Sequence, residues 1–408
     1  MTNKLRKYAE LTVKLGANVQ KDQFVMIFCS IENRKFARML VEECYKCKAK
    51  KVMVEWSDSK VTKMTYENCT TETLCQVEDW KVEKYKWRRD NLPVIIHVED
   101  DDPDLLKDID SEKVAKSSQA IMKKIKPIRD EMEDKYQWTI VAMPSKNWAK
   151  KVFPNLSGKE AKEKLLNEIF KICRIDDEND PIELWNKHNT QLSSRSKKLN
   201  DYNFEYLHYK NNLGTDLMVG LVKGHRWAGG KEQTLSGISY NPNMPTEEVF
   251  TMPHRAKVNG TLVSTKPLVY NGVVIEGMKF EFKDGAVVKA SAEKNNETLQ
   301  NILKMDENST RLGEVALVPF DSPISNSNIL FYTTLIDENA SCHFALGQSY
   351  AMTLNGSTEM TEEQKLQNGA NNSIIHEDFM VGSRDLDITG ITYDGKEIPV
   401  FKNGNFVF

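Results

Sequence analysis

The sequence predicts an α/β protein in two parts. An N-terminal α/β domain with a largely parallel sheet spans residues 1–200, and a C-terminal β-rich α+β domain spans residues 201–408. Three observations carry this division. The chain has 408 residues, against ~100–200 for a typical domain. Only two of its 20 glycines, Gly16 and Gly158, precede residue 201. Short apolar runs alternate with long charged stretches in the first half, whereas turn dipeptides crowd the second.

In the first half, Leu5, Tyr8, Ala9, Thr12 and Leu15 recur at helical spacing, and Gly16 stands where a C-terminal cap would. FVMIFC (24–29) reads as a buried strand, and 32–48 as a helix with Phe36, Met39, Leu40 and Cys44 on one face. KVMVEW (51–56), PVIIHV (93–98) and WTIVAM (138–143) are further short apolar runs, and 157–174 and 181–199 read as helices. Near-continuous apolar strands separated by helices indicate a parallel sheet covered on both faces. In the second half, Asn259-Gly260, Asn271-Gly272, Asp284-Gly285, Asp394-Gly395 and Asn403-Gly404 are hairpin signals. The alternating stretches NFEYLHY and MKFEF lie among them, with one helix expected at 291–304.

Composition excludes several classes. With 56 basic and 59 acidic side chains and a net charge of -3, the chain has no basic excess for nucleic acid. Its longest apolar runs, PVIIHV and MVGLV, fall far short of the ~20 residues of a membrane span. The first residues have no apolar core of a signal peptide. Seven cysteines, an odd number without metal-finger spacing, suit a reducing compartment. A soluble cytoplasmic protein is expected. No GxGxxG or GxxxxGK[ST] occurs in residues 1–200, which argues against nucleotide binding there. EDDDPD (99–104) reads as a solvated loop starting a helix. Cys44 and Cys47 form a CxxC inside a predicted helix, where Cys44 reads as core rather than as a redox thiol.

The residues suited to chemistry lie in the second half. In IIHEDFM, His376 and Asp378 are two apart, so on a strand their side chains share a face and suit a divalent metal. Glu338 and His343 are five apart in LIDENASCHFALGQSYAM, a spacing that fits neither a helix face nor a strand face. If both are ligands, the Asn-Ala-Ser between them must turn. A core histidine bonded to a backbone carbonyl is the bland alternative for His343. Glu314 opens a strand after Gly313, and Glu248 opens another after a Pro-Thr turn. Such carboxylates are costly to bury unless paired or bound to metal. Both read equally as exposed strand ends.

Together these segments resemble the aminopeptidase T, aminopeptidase S and PepS group of metallopeptidases, the thermophilic metalloprotease family. The resemblance spans the whole length and is strongest in NPNMPTEEVFTMPHR (241–255), RLGEVALVPFDSPIS (311–325), ENASCHFALGQSY (338–350) and NNSIIHEDFMVGS (371–383). It implies a first metal held by Glu248, Glu314, Glu338 and His343. A second would be held by Glu314, His376 and Asp378, so that Glu314 bridges the pair. It also implies an active-site role for Tyr350. Glu248 is chosen over Glu247 on the match and on the spacing from Pro245. The implied activity is that of a metal-dependent aminopeptidase, taking residues from peptides with a free N-terminus and working as a homodimer with an enclosed site. Carboxylates and imidazoles suit Zn, Co or Mn, and two such ions share an activated water in dinuclear hydrolases. The set's four carboxylates largely neutralise the ions' four positive charges. Two other readings fit the residues: a dinuclear amidohydrolase acting on small amides, and a non-enzymatic binding module.

Overall fold

A computed structural model describes residues 2–100, 102–271 and 273–408. The chain forms two compact units, each assembled from three stretches.

The first unit comprises Met1–Asn189, Gly230–Thr246 and Leu330–Leu335. Its sheet has five strands in the order Lys51–Ser57, Phe24–Ser30, Val94–Glu99, Trp138–Ala142 and Asn243–Met244. All the pairings are parallel. The apolar runs form these strands because both sheet faces are covered. Helix Arg34–Lys46 turns Phe36, Ala37, Met39, Leu40 and Cys44 inward. Helix Gly158–Ile172 starts in a capping box between Ser157 and Glu160 and buries Leu165, Ile169 and Phe170. Burial pushes the Cys44 thiol up to about 12, which suits packing and not redox chemistry. The unit differs from a simple cut at residue 200. Asn243–Met244 pairs with Ile140 and Val141 as a fifth strand, and a two-residue strand leaves no periodic trace in sequence.

The acidic run at 99–104 also departs from expectation. Asp100 is buried and accepts from Asn33 Nδ2 at 2.9 Å, and Asp104 pairs with Lys151 at 2.9 Å. The helix that follows begins only at Ser111, capped by Asp110. Asp101 lies outside the described residues, as does Gly272 of the Asn271-Gly272 signal.

His97, on Val94–Glu99, stacks on Phe28 with ring centroids 4.8 Å apart. Burial, with the Arg88 and Arg129 charges adding to it, lowers its pKa from 6.5 to about 4. A depressed histidine contributes stability that is full above its unfolded pKa and is lost as pH falls toward the folded value. Urea midpoints of the parent should therefore fall, relative to His97→Phe, as pH drops from about 6.5 to 4. Parallel curves for the two proteins would contradict this.

The second unit comprises Thr190–Gly229, Glu247–Ile329 and Ile336–Phe408. Its larger sheet has eight antiparallel strands. The hairpin signals at Asp284-Gly285, Asp394-Gly395 and Asn403-Gly404 sit between paired strands. Asn259-Gly260 does not. It lies inside the strand Pro253–Val263, where a Cβ on Gly260 would meet the Asp216 carbonyl oxygen at 2.2 Å. Glycine is there for close strand approach and not for a turn.

A second sheet has four antiparallel strands in the order Val249–Thr251, Leu312–Leu317, His343–Gly347 and His376–Met380. Alternation divides it into two faces. Val249, Val315, Leu317, Phe344 and Phe379 join the core built on the larger sheet. Phe344 packs on Tyr209 at 5.0 Å and Phe379 on Phe280 at 4.9 Å between ring centroids. The opposite face carries the polar residues.

Candidate metal centre

The register of the smaller sheet sets Glu314 opposite Ala345 and Ala345 opposite Asp378. The next row on that face is Phe250, Ala316, His343 and Met380. His376 lies two residues before Asp378 and so shares the face. Glu248 directly precedes the strand Val249–Thr251. Glu338 enters from outside the sheet, in the 3-10 turn Glu338–Ala340, and Ser341 then returns to extended backbone. That turn is the one the Glu338–His343 spacing requires. Two glycines allow the strands to close around these residues. A Cβ on Gly313 would meet the Gln348 carbonyl oxygen at 2.3 Å, and one on Gly347, whose φ is +103°, would meet that of Ile375 at 2.2 Å.

The ligand atoms fall into three overlapping groups, each within 4.8 Å: Glu248, Glu314 and His343; Glu314, His376 and Asp378; and Glu338, His343 and Asp378. His343 Nε2 stands 3.0 Å from Glu248 Oε2 and 3.8 Å from Glu314 Oε1. His376 Nε2 stands 3.3 Å from Glu314 Oε2 and 3.5 Å from Asp378 Oδ2. The two oxygens of Glu314 thus face different histidines. Asp378 belongs to two groups, so it joins Glu314 as a residue in reach of both ends. Glu247 belongs to none of the three groups; its backbone N–H donates to Asn339 Oδ1 at 2.7 Å.

Both imidazoles have a defined tautomer. His343 Nδ1 lies 3.1 Å from the Ser341 carbonyl and His376 Nδ1 lies 2.7 Å from that of Gln348. A carbonyl only accepts, so each Nδ1 carries a hydrogen and each Nε2 is turned to the carboxylates. Anchoring of the far nitrogen by a carbonyl is the usual support of a metal-binding histidine. The Ser341 contact is a backbone-carbonyl bond of the kind the alternative reading of His343 foresaw, whereas that of His376 to Gln348 had no sign in residue type.

Four buried carboxylates around two imidazoles need counter-charge. Burial first, against the pull of His376, raises Glu314 to about 7, and burial also raises Glu338. Burial opposes charge on His343, yet Glu248 and the neighbouring carboxylates hold it up to about 10. Asp378 remains low because His376 overrides its burial. Its Oδ1 is buried without a hydrogen-bond partner. Such an orphaned oxygen, within a set of oxygens and imidazole nitrogens, fits divalent cations. Two ligands bound at ~2.0–2.2 Å to a tetrahedral ion lie ~3.3–3.6 Å apart, close to the separations of His376 from its two carboxylates.

Tyr350 packs against His376 with centroids 4.6 Å apart, and against Phe250 at 5.9 Å. Desolvation, against the pull of His376 and aided by the nearby carboxylates, holds its phenol above its ordinary range although the residue is 39% exposed. Cys342 sits beside His343 but its Sγ meets the Val318 carbonyl at 3.4 Å, and burial pushes it up to about 12. Glu377, passed over in the sequence between His376 and Asp378, has its carboxyl raised to about 8 by burial and then by Asp378.

A buried cluster of carboxylates and histidines on one sheet face defines a metalloprotein. The chain belongs to the thermophilic metalloprotease family, M29, which it matches over residues 1–406. It is similar to aminopeptidase AmpS of Bacillus subtilis strain 168, with 43% identity across 100% of this chain and 99% of the relative. Aminopeptidase PepS of Streptococcus thermophilus is 40% identical across 99% and 98%. The structure of wild-type AmpT from Thermus thermophilus superposes with a TM-score of 0.91 at 36% identity, covering 100% of both chains.

Proposed function

We propose that this protein is a metal-dependent aminopeptidase that removes N-terminal residues from peptides with two divalent ions held on the smaller sheet. The observation that carries the proposal is the convergence of Glu248, Glu314, Glu338, His343, His376 and Asp378 on one buried face. The aminopeptidase names of full-length relatives support it. Glu248, Glu314, Glu338 and His343 would hold one ion, with Glu314, His376 and Asp378 holding the other. Zn, Co and Mn all suit these donors. When bound, such ions polarise a carbonyl and lower the pKa of a water to ~7.

The remaining work falls to the chain itself. Ser341 and Gln348 fix the imidazoles so that both Nε2 atoms point inward. Glu314 turns one oxygen toward each histidine, which supports reading it as the bridge. Tyr350, whose ring lies 4.6 Å from that of His376, would donate its phenolic hydrogen to the oxyanion as negative charge develops there, or to a ligand. Glu247, or a ligand oxygen left unbound, takes the proton to the leaving amine. The second unit carries this chemistry and the first acts as scaffold. The reading includes a homodimer, as the family resemblance implies, and a cytoplasmic address, as the cysteine usage suggests. Among the described residues no helix is long and apolar enough to cross a membrane.

A matched pair of aminoacyl substrates, one with a free amine and one acetylated, tests the reading. The free amine should be preferred at least ~100-fold, since a site built around a polar group rejects an analogue lacking it. Comparable cleavage of both would indicate an amidohydrolase of small amides instead.

A further inference from the structure

The two histidines are supported differently. His343 Nδ1 is held from within its own segment, by Ser341 O at 3.1 Å. His376 Nδ1 is held across a loop, by Gln348 O at 2.7 Å. Gln348 is itself pinned twice to the segment before His376. Its N–H donates to Ile375 O at 2.7 Å, and its Oε1 accepts from Ser373 N at 2.9 Å.

That segment is in turn tied to Asp306, which lies in the loop preceding the Glu314 strand. Asp306 Oδ2 accepts from Ser373 Oγ at 2.8 Å and from Ile374 N at 2.7 Å. Its Oδ1 accepts from Asn308 N at 2.8 Å and Ser309 Oγ at 3.1 Å. Asn371 runs a second tie between the same loops, donating to Asn308 O at 2.9 Å and to Gly347 O at 2.7 Å. One carboxylate thus joins the approach to Glu314 with the approach to His376. Hydrogen bonds to an ionised acceptor are about twice as strong as neutral ones. An asparagine offers one acceptor oxygen and would turn its NH2 toward one pair of donors.

We propose that Asp306 is a positioning residue that sets how tightly the Glu314–His376–Asp378 group holds its ion, acting through Ser373, Gln348 and His376 Nδ1. The proposal rests on the reading of those three residues as ligands. Loss of an outer support of this kind weakens metal affinity ~10–100-fold. The effect should be selective, because the carbonyl holding His343 does not depend on Asp306.

The test is calorimetric titration of the metal-stripped full chain with Zn(II). The parent should show two binding classes. Asp306→Asn should weaken one of them ~10–100-fold and leave the other essentially unchanged. Ser373→Ala, which removes one donor and keeps the charge, should act on the same class in the same direction but less. If Asp306→Asn does not fold, Ser373→Ala decides. Equal weakening of both classes, or no change in either, would overturn the positioning role. A parent that takes up fewer than two ions would instead bring down the dinuclear reading, and this proposal with it.

Discussion

Glu314→Gln should abolish nearly all peptidase activity while leaving the protein folded. The residue is buried, and its two oxygens face His343 and His376 at 3.8 and 3.3 Å. Glutamine keeps the size but removes the charge and replaces one oxygen by an NH2 that cannot ligate. Loss of an outer support alone costs ~10–100-fold in affinity or activity, so loss of the bridge should cost more than ~100-fold. Cys342→Ala, next to a histidine but packed away from the cluster, should retain most activity. The pair separates loss of chemistry from damage to the sheet. A folded glutamine variant with near-parental turnover would show that the bridge is misassigned.

Removal of metal should abolish activity and also lower thermal stability, both restored by Zn, Co or Mn. A ligand that binds only the folded state stabilises it in proportion to RT ln(1 + [L]/Kd). The metal-free chain should show a particular pH dependence. Glu314 is raised to about 7 and His343 to about 10. A raised pKa contributes stability that is full below the unfolded value and is lost as pH rises through the folded one. Both groups therefore predict a metal-free protein that weakens from about pH 5 upward and through 10, with the metal-loaded protein largely spared. Full activity in a demonstrably metal-free sample would end the metallopeptidase reading.

The sequence made much of this legible because strand alternation is local. His376 and Asp378, two apart on a strand, had to share a face, and the apolar residues around them marked the other face. The parallel sheet was legible for the same kind of reason, since strands covered on both sides read as continuous apolar runs. Glu338 was not legible from spacing alone. Its approach depends on a 3-10 turn at Glu338–Ala340 that no periodicity announces. Asn259-Gly260 misled because the same dipeptide serves a hairpin turn and a close pass of two strands, and only the Asp216 carbonyl opposite distinguishes them. Asn243–Met244 and the supporting carbonyl of Gln348 were invisible because they act through the backbone. Asp306 was invisible because the partners that tie it to the site, Ser373 and Ile374, lie more than sixty residues away along the chain.

Metal content per chain tests the central claim most directly. The parent protein, stripped and then dialysed to saturation against Zn(II), Co(II) or Mn(II), should hold two ions per chain by elemental analysis, and Glu314→Gln should hold fewer than two. One ion or none in the saturated parent, with activity intact, would contradict the dinuclear centre.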